Sequence, residues 1–441
     1  MRKKIWHSHN YLTSCEFNLQ EYLNPAALKK QIVQSINDPE ALEMLFRKDK
    51  SGFTLDFPDA SAGTETDLVR FWQIRLKNES AGQKHPLLNT DFWMVASLAI
   101  VIALLVKSHL MFGNMEPEIF WSRNLPAIVF AGLTAWFILR SRITGVKNII
   151  RIAIPVVILT VFLNLLPENQ GDSTILAWIH APVFMWFIFG LAWVSLDYTN
   201  IPKVSAFIRY NGELVIMFGL LCIAWAILSG MTVSLFAIIG MEIGEFYITN
   251  IGVVGFAILP VVAAWLIDMY PDITSRIAPI IARIFTPLVF ILTVIYLVAI
   301  IIAGIDLSKN RDFLIIFNLL LLGVMIIIVF SLSELDKSNI RKFNVTLLFL
   351  LAVVTLIIDL FALSAIVSRL SDGFTPNRTV VLISNILVLI NLLLILPDLF
   401  LAGFKGKSID RVETIIGRYL PVYFLYCVIV IFVLPFIFGM K

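Results

Sequence analysis

Eleven runs of about twenty apolar residues follow one another along this chain, and a run of that length and hydrophobicity reads as a helix that crosses a bilayer. They occupy 91–110, 122–139, 148–167, 174–194, 214–238, 248–268, 283–304, 312–332, 344–367, 379–401 and 417–439. Hydrophobic residues make up 59% of the 441 and charged residues 15%, against about 45–50% and about 25% in ordinary soluble domains. The fold class expected is therefore all-α: a polytopic transmembrane helix bundle of about eleven helices over 89–441, preceded by a small cytoplasmic helical module over 1–88. Pro155, Pro182, Pro260, Pro287 and Pro435 fall within runs and predict kinks rather than breaks.

Several function classes are disfavoured at once. A net charge of +3 gives no footprint for nucleic acid, and Cys15, Cys222 and Cys427 are too few and scattered for a disulfide framework or a zinc site. The basic start "MRKKIWHSHNYLTS" has no apolar core behind it, so it does not read as a signal peptide. Gly406-Lys407-Ser408 resembles the end of a phosphate loop, but the position of the first glycine is held by Leu401 and no strand precedes it. The basic stretch around it suits a helix lying on anionic headgroups instead. No nucleophile, metal or nucleotide motif is present, and the expectation is a protein that is not an enzyme and needs no cofactor.

The bases set an orientation. Numbering the loops in order, the even ones hold Arg140, Arg142, Lys147, Arg151, Lys203, Arg209, Arg276, Arg283, Lys337, Arg341, Lys342, Lys405, Lys407, Arg411 and Arg418. The odd loops and the tail hold only Lys107, Arg123, Lys309, Arg311, Arg369, Arg378 and Lys441. Cytoplasmic loops are enriched in Lys and Arg, so the N-terminus is expected inside and the C-terminus outside.

The first 85 residues differ in kind. "PAALKKQIVQSI" places Leu28, Ile32, Val33 and Ile36 on one helical face, Asp38-Pro39 reads as a cap and first-turn proline, and Thr64-x-x-Asp67 approximates a capping box. In the helix that follows, Leu68, Phe71, Trp72 and Leu76 share a face, while "KSGFTLDFPDASAG" reads as a loop. A three-helix module results. It is either a solvated cap that helps folding or a surface for a cytoplasmic protein.

Asp359 lies deep within the ninth run, where a carboxylate costs about 2.5–3.5 kcal/mol even on insertion scales and by default has a partner and a task. Arg369, Asp372 and the turn "GFTPNR" follow, with Asn377 and Arg378 opening the tenth run and Ser384, Asn385 and Asn391 within it. Adjacent antiparallel helices would let Asp359 meet Ser384 or Asn385, giving an outward-facing site for a proton or small solute with the arginines beside it. The structural alternative is an interhelical hydrogen bond with snorkelling arginines. His180 in the fourth run is a second titratable group, either a relay toward Asp359 or Asp172 or a histidine bonded within the bundle. Glu213 reads as an acid at a helix start. Glu242, Glu245, Glu168 and Asp172 make two loops acidic, as solvated residues or cation attractors.

The segments "ALEMLFRKD", "RFWQIRL", "IHAPVFMWFIFGLAW", "FIRYNGELVIMFGLL" and "ALSAIVSRLSDGFTPNR" together resemble a widespread bacterial family of multi-pass inner-membrane proteins catalogued only as a domain of unknown function. The resemblance runs from about residue 40 to the end. Its most specific elements are His180-x-Pro182 and Gly-x-Thr-Pro-Asn-Arg, with Asp372 standing where the family has an aromatic residue. It implies a bacterial inner-membrane location and no particular activity. Permease-like transport through the site at Asp359, Arg369, Arg378, Asn377, His180, Ser384 and Asn385 is the leading expectation. A sensor or scaffold with a cytoplasmic partner on the N-terminal module is the other.

Overall fold

The computed structural model describes residues 25–64, 66–82, 90–111, 116–141, 145–167, 171–303, 311–335, 342–371 and 373–440. Readings made above for Cys15, Arg142, Glu168, Lys309, Lys337, Arg341, Asp372 and Lys441 fall outside them, as do the side chains of Arg276 and Arg311. Every regular element among the described residues is helical. The chain divides into two compact units, Met1–Thr90 and Asp91–Lys441.

The first unit has four described helices rather than three: α1 (Pro25–Gln34), α2 (Pro39–Lys48), α3 (Lys50–Ala60) and α4 (Asp67–Gly82). Helix α3 is the segment that its glycine and proline mark as a loop. Two local facts override that composition. Asp49 caps the helix by accepting the Gly52 N–H at 2.9 Å, and Phe53 and Phe57, one turn apart, are fully buried and stack at 5.1 Å. Both pack on Trp72, with ring centroids 5.1 and 6.1 Å away. Aromatic burial of this size outweighs weak helix propensity. Asp38 caps α2 as expected, accepting from the N–H groups of Glu40 and Ala41. The cap of α4 is Thr66, not Thr64, since its hydroxyl accepts the Val69 N–H. Of the two predicted faces, Ile32, Trp72 and Leu76 are buried, but Val33 is 50% and Phe71 58% exposed.

The second unit is built from α5 (Thr90–Val106), α6 (Pro117–Ser141), α7 (Val146–Leu165), α8 (Asp172–Trp193), α9 (Ile201–Ile238), α10 (Gly244–Met269), α11 (Pro271–Ala303), α12 (Arg311–Ser333), α13 (Lys342–Leu370), α14 (Pro376–Lys405), α15 (Asp410–Phe432) and a last turn, α16 (Leu434–Ile437). Ten of these helices are long and apolar enough to cross a membrane, and α12 adds an apolar stretch over Asn318–Ser333. Their outward faces carry Ile238, Ile302 and Leu165, each more than three-quarters exposed. Apolar side chains turned outward on so many faces need hydrocarbon as solvent, not water. This is an integral, multi-pass membrane protein.

Helix boundaries follow from local chemistry. Pro155, Pro182, Pro260 and Pro287 sit inside continuous helices, whereas Pro435 opens α16 after a break at Val433. Helix α9 begins at residue 201 rather than 214, because Asn200 caps it and Pro202 fits its first turn. At 38 residues it is about 57 Å long, nearly twice the hydrocarbon thickness of ~30 Å. Glu213 is therefore an interior residue of a long helix, not an acid at a helix start. Helix α14 stops at Gly406, whose φ of +67° only glycine adopts easily. The residues after it do not form a separate surface helix. Ser408 accepts the Asp410 N–H, and α15 runs from there directly into the bundle. In α10, residues Ile248–Gly252 widen into a π-turn, and Lys107 donates to the Thr249 carbonyl (3.0 Å) and to Asn250 Oδ1 (2.7 Å) there.

Candidate functional site

Helices α13 and α14 form an antiparallel hairpin. Gly373 takes φ +110°, Thr375 Oγ1 accepts the Arg378 N–H, and Arg378 Nη1 donates to the Gly373 carbonyl at 2.8 Å. Lower down, the helices approach closely where Gly403 meets Thr346. A Cβ on that glycine would stand 3.2 Å from the Thr346 backbone, and the Thr346 hydroxyl donates to the Gly403 carbonyl. Small residues at such a contact are how membrane helices pack tightly.

Asp359 is completely buried on the inner face of α13, beside Thr355, Ile358 and Ala362. Neither carboxylate oxygen has a hydrogen-bond partner among the described residues. The expected partners do not reach it: Ser384 Oγ donates to the carbonyl of Val381, and Asn385 Nδ2 is itself buried without a partner. The side chain in electrostatic range of Asp359 is instead the phenol of Tyr423, from α15. Tyr423 accepts a hydrogen bond from Asn391 Nδ2 at 3.1 Å, and a phenol that accepts still has its own proton to give.

Tyr423 belongs to a stripe. Tyr419 donates to the Leu387 carbonyl at 3.0 Å and Tyr426 to the Val380 carbonyl at 3.1 Å. Ser384 lies within hydrogen-bonding reach of Tyr426, and the His180 ring stands edge-on to Tyr426 at 5.5 Å. His180 Nδ1 pairs with the Leu176 carbonyl of its own helix at 2.8 Å and bonds neither Asp359 nor Asp172. At the turn end, Asn377 donates to Asp172 at 2.6 Å. Polar side chains thus follow the α8–α14–α15 seam from Asn377 past Ser384 and Tyr426 to Asn391, Tyr423 and Asp359. Arg378 is used in its own turn. Arg369 is partly exposed and makes no hydrogen bond or ion pair with a described residue. The structure brings Ser384, His180 and Asn377 onto one seam with Asp359 but keeps both arginines off it.

The tyrosines were missed in the sequence, although 419, 423 and 426 have helical i, i+4, i+7 spacing in "RYLPVYFLYC". A second polar group was missed too. Asp268 Oδ2 accepts from Trp136 Nε1 at 3.1 Å and pairs with Arg140 Nε at 3.3 Å, while Arg140 Nη1 reaches Asp91 at 3.1 Å. Nearby, Arg209 donates twice to the Ser333 carbonyl, at 2.9 and 2.6 Å. Glu334 follows on the chain just past α12. Burial lifts its carboxyl to about 7, against the pull of Arg209 and with a push from Glu213. No three His, Cys, Asp or Glu side chains among the described residues are arranged to hold a metal ion.

Compared with known proteins, the chain matches no family model, no characterised protein and no solved structure.

Proposed function

We propose that this protein is a permease-like transporter of a small solute or proton, with Asp359 as the group that takes up and releases the coupling ion. The observation that carries the reading is a fully buried carboxyl without a partner in the middle of a spanning helix. A bare carboxylate in such a place costs several kcal/mol. The group therefore holds its proton or meets a cation, and it changes state only when the surroundings open. Tyr423, Asn391, Tyr426, Ser384 and His180 offer hydrogen-bonding groups along the way to the Asn377–Asp172 end. The charge bias of the loops supports reading that end as the outer face, with the N-terminal unit in the cytoplasm, and the family resemblance supports a bacterial inner membrane.

The test uses proteoliposomes with a trapped pH indicator and a panel of small solutes. Asp359→Asn should leave membrane levels unchanged and abolish solute- or pH-dependent flux. If the variant fails to accumulate, the residue is structural and the reading falls.

A sensor or scaffold is the second reading, supported by the exposure of Phe71 (58%) and Ile74 (54%) on α4. Exposed apolar side chains on a small water-facing unit suit a protein partner. Deleting residues 1–85 separates the two: a transporter core keeps its flux and a scaffold loses its partner.

A further inference from the structure

Arg123, near the start of α6, is 2% exposed. Its Nη2 donates to the Leu166 carbonyl at 3.2 Å, at the end of α7, and its guanidinium carbon stands 5.5 Å over the ring of Trp178 on α8. Its Nε is buried without a hydrogen-bond partner, and no described carboxylate pairs with it. A guanidinium keeps its charge in every protein environment, so it cannot escape burial by losing a proton.

The early turns of α8, the helix that Arg123 meets at Trp178, are short of partners in the same way. Trp178 Nε1 is buried and unbonded, and so is the hydroxyl of Thr174, one turn earlier on the same stripe of α8. Ser173, fully buried at the start of that helix, also has an unbonded hydroxyl. The first turn of α8, a helix of 22 residues, adds the positive end of its dipole. Asn124 and Asn164 satisfy one another by reciprocal amide bonds at 3.1 and 2.7 Å, which closes the flank without consuming the guanidinium. Indole and guanidinium N–H groups can only donate, and a hydroxyl can donate to an acceptor. Unused donors on a buried permanent cation, on the indole beneath it and on the turn before that indole suit an anion with several acceptor oxygens.

We propose that Arg123, Thr174 and Trp178 form a binding site for an oxyanion, a carboxylate or phosphate group carried either by a soluble solute or by a lipid headgroup. A guanidinium edge can bind such a group through two parallel hydrogen bonds, Nε giving one of them. The site shares neither residues nor hydrogen bonds with the Asp359 seam and stands whether or not that seam carries protons.

The experiment is thermal unfolding of the full-length protein in nanodiscs of phosphatidylcholine, with three probes: inorganic phosphate, acetate, and phosphatidylglycerol mixed into the bilayer. At least one probe should raise the unfolding midpoint of the wild type by several degrees. That gain should vanish in Arg123→Gln and shrink in Thr174→Val, which keeps the shape of the side chain and guards against a folding failure in the first variant. Stabilisation by phosphate or acetate in neutral lipid assigns a soluble anion, and stabilisation by phosphatidylglycerol alone assigns a headgroup. Absence of any stabilisation, or equal stabilisation in both variants and the wild type, overturns the proposal. So does a Glu168→Gln variant that lowers the midpoint as much as Arg123→Gln with no further loss in the double variant, since Arg123 would then be half of an internal ion pair.

Discussion

Two aspartates in the membrane unit have opposite surroundings. Asp268 on α10 is held by the Trp136 indole and the Arg140 guanidinium, which Asp91 shares. Asp359 on α13 is more deeply buried and accepts no hydrogen bond from a described residue. A paired acid holds helices together, and cutting out one partner leaves a stranded charge. An unpaired acid contributes nothing of that kind to stability, so its presence calls for a different explanation. The contrast separates a carboxylate that ties the bundle from one for which we propose a role in transport.

The largest effect expected on stability falls on the paired side. Asp268→Leu removes the acceptor of the Trp136 indole and one of the two carboxylates on Arg140, which keeps Asp91; this should cost about 2 kcal/mol, read as the unfolding midpoint in detergent or nanodiscs. Asp359→Leu should be neutral or stabilise by up to ~2 kcal/mol, because an unsatisfied polar group is replaced by an apolar one. If both aspartates prove equally costly to replace, the comparison breaks.

A smaller effect concerns Glu334, beside the second polar group. Its carboxyl titrates at about 7 in the fold against an ordinary 4.5. The folded state therefore binds the extra proton between those values, and stability falls as pH rises from about 4.5 through about 7. Glu334→Gln should flatten that slope, as measured by unfolding midpoints across the pH range. A slope unchanged by the substitution would remove Glu334 from the polar group as a titrating member.

Tyr423→Phe sharpens the other side of the comparison. It takes away the phenol next to Asp359 without changing the shape of the stripe, so flux should fall by about tenfold, less than the ~10²–10⁴-fold of a group that itself transfers the proton. Protein levels should hold.

The least consequential pair lies in the N-terminal unit. Glu43 accepts from Arg75 Nη1 at 2.6 Å and from Arg47 at 2.9 Å, contacts that hold its carboxyl below the ordinary 4.5. A carboxylate with a lowered value adds stability above 4.5 and loses it as pH falls through the lowered value. Glu43→Gln should therefore cost ~1 kcal/mol or less at neutral pH and nothing in strong acid, as read by hydrogen exchange of α2 and α4 in the full chain.

Much of this was legible in the sequence. Apolar runs located the spanning helices, because length and hydrophobicity alone decide what can cross a bilayer. Asp38 announced its cap, and Asp359 announced itself by its depth. What stayed hidden depends on contacts between segments distant in the chain. Asp268 meets Arg140 across more than a hundred residues, and Asp359 finds Tyr423 rather than the nearer Ser384 and Asn385. Helix α3 was hidden for a different reason: Gly52 and Pro58 signal a turn, while the burial of Phe53 and Phe57 that overrides them is tertiary. The tyrosine stripe of α15 shows in the sequence as a period alone, and spacing does not say which neighbouring helix its phenols meet.

The most direct measurement is flux per folded molecule, taken side by side for Asp359→Asn and Asp268→Asn in proteoliposomes under an imposed pH gradient. Asp359→Asn should fold as well as the wild type and lose more than nine-tenths of its flux, a loss of about 1.4 kcal/mol or more in barrier terms. Asp268→Asn should yield less folded protein, each molecule still active. Wild-type flux per molecule in Asp359→Asn would contradict the role assigned to that carboxyl.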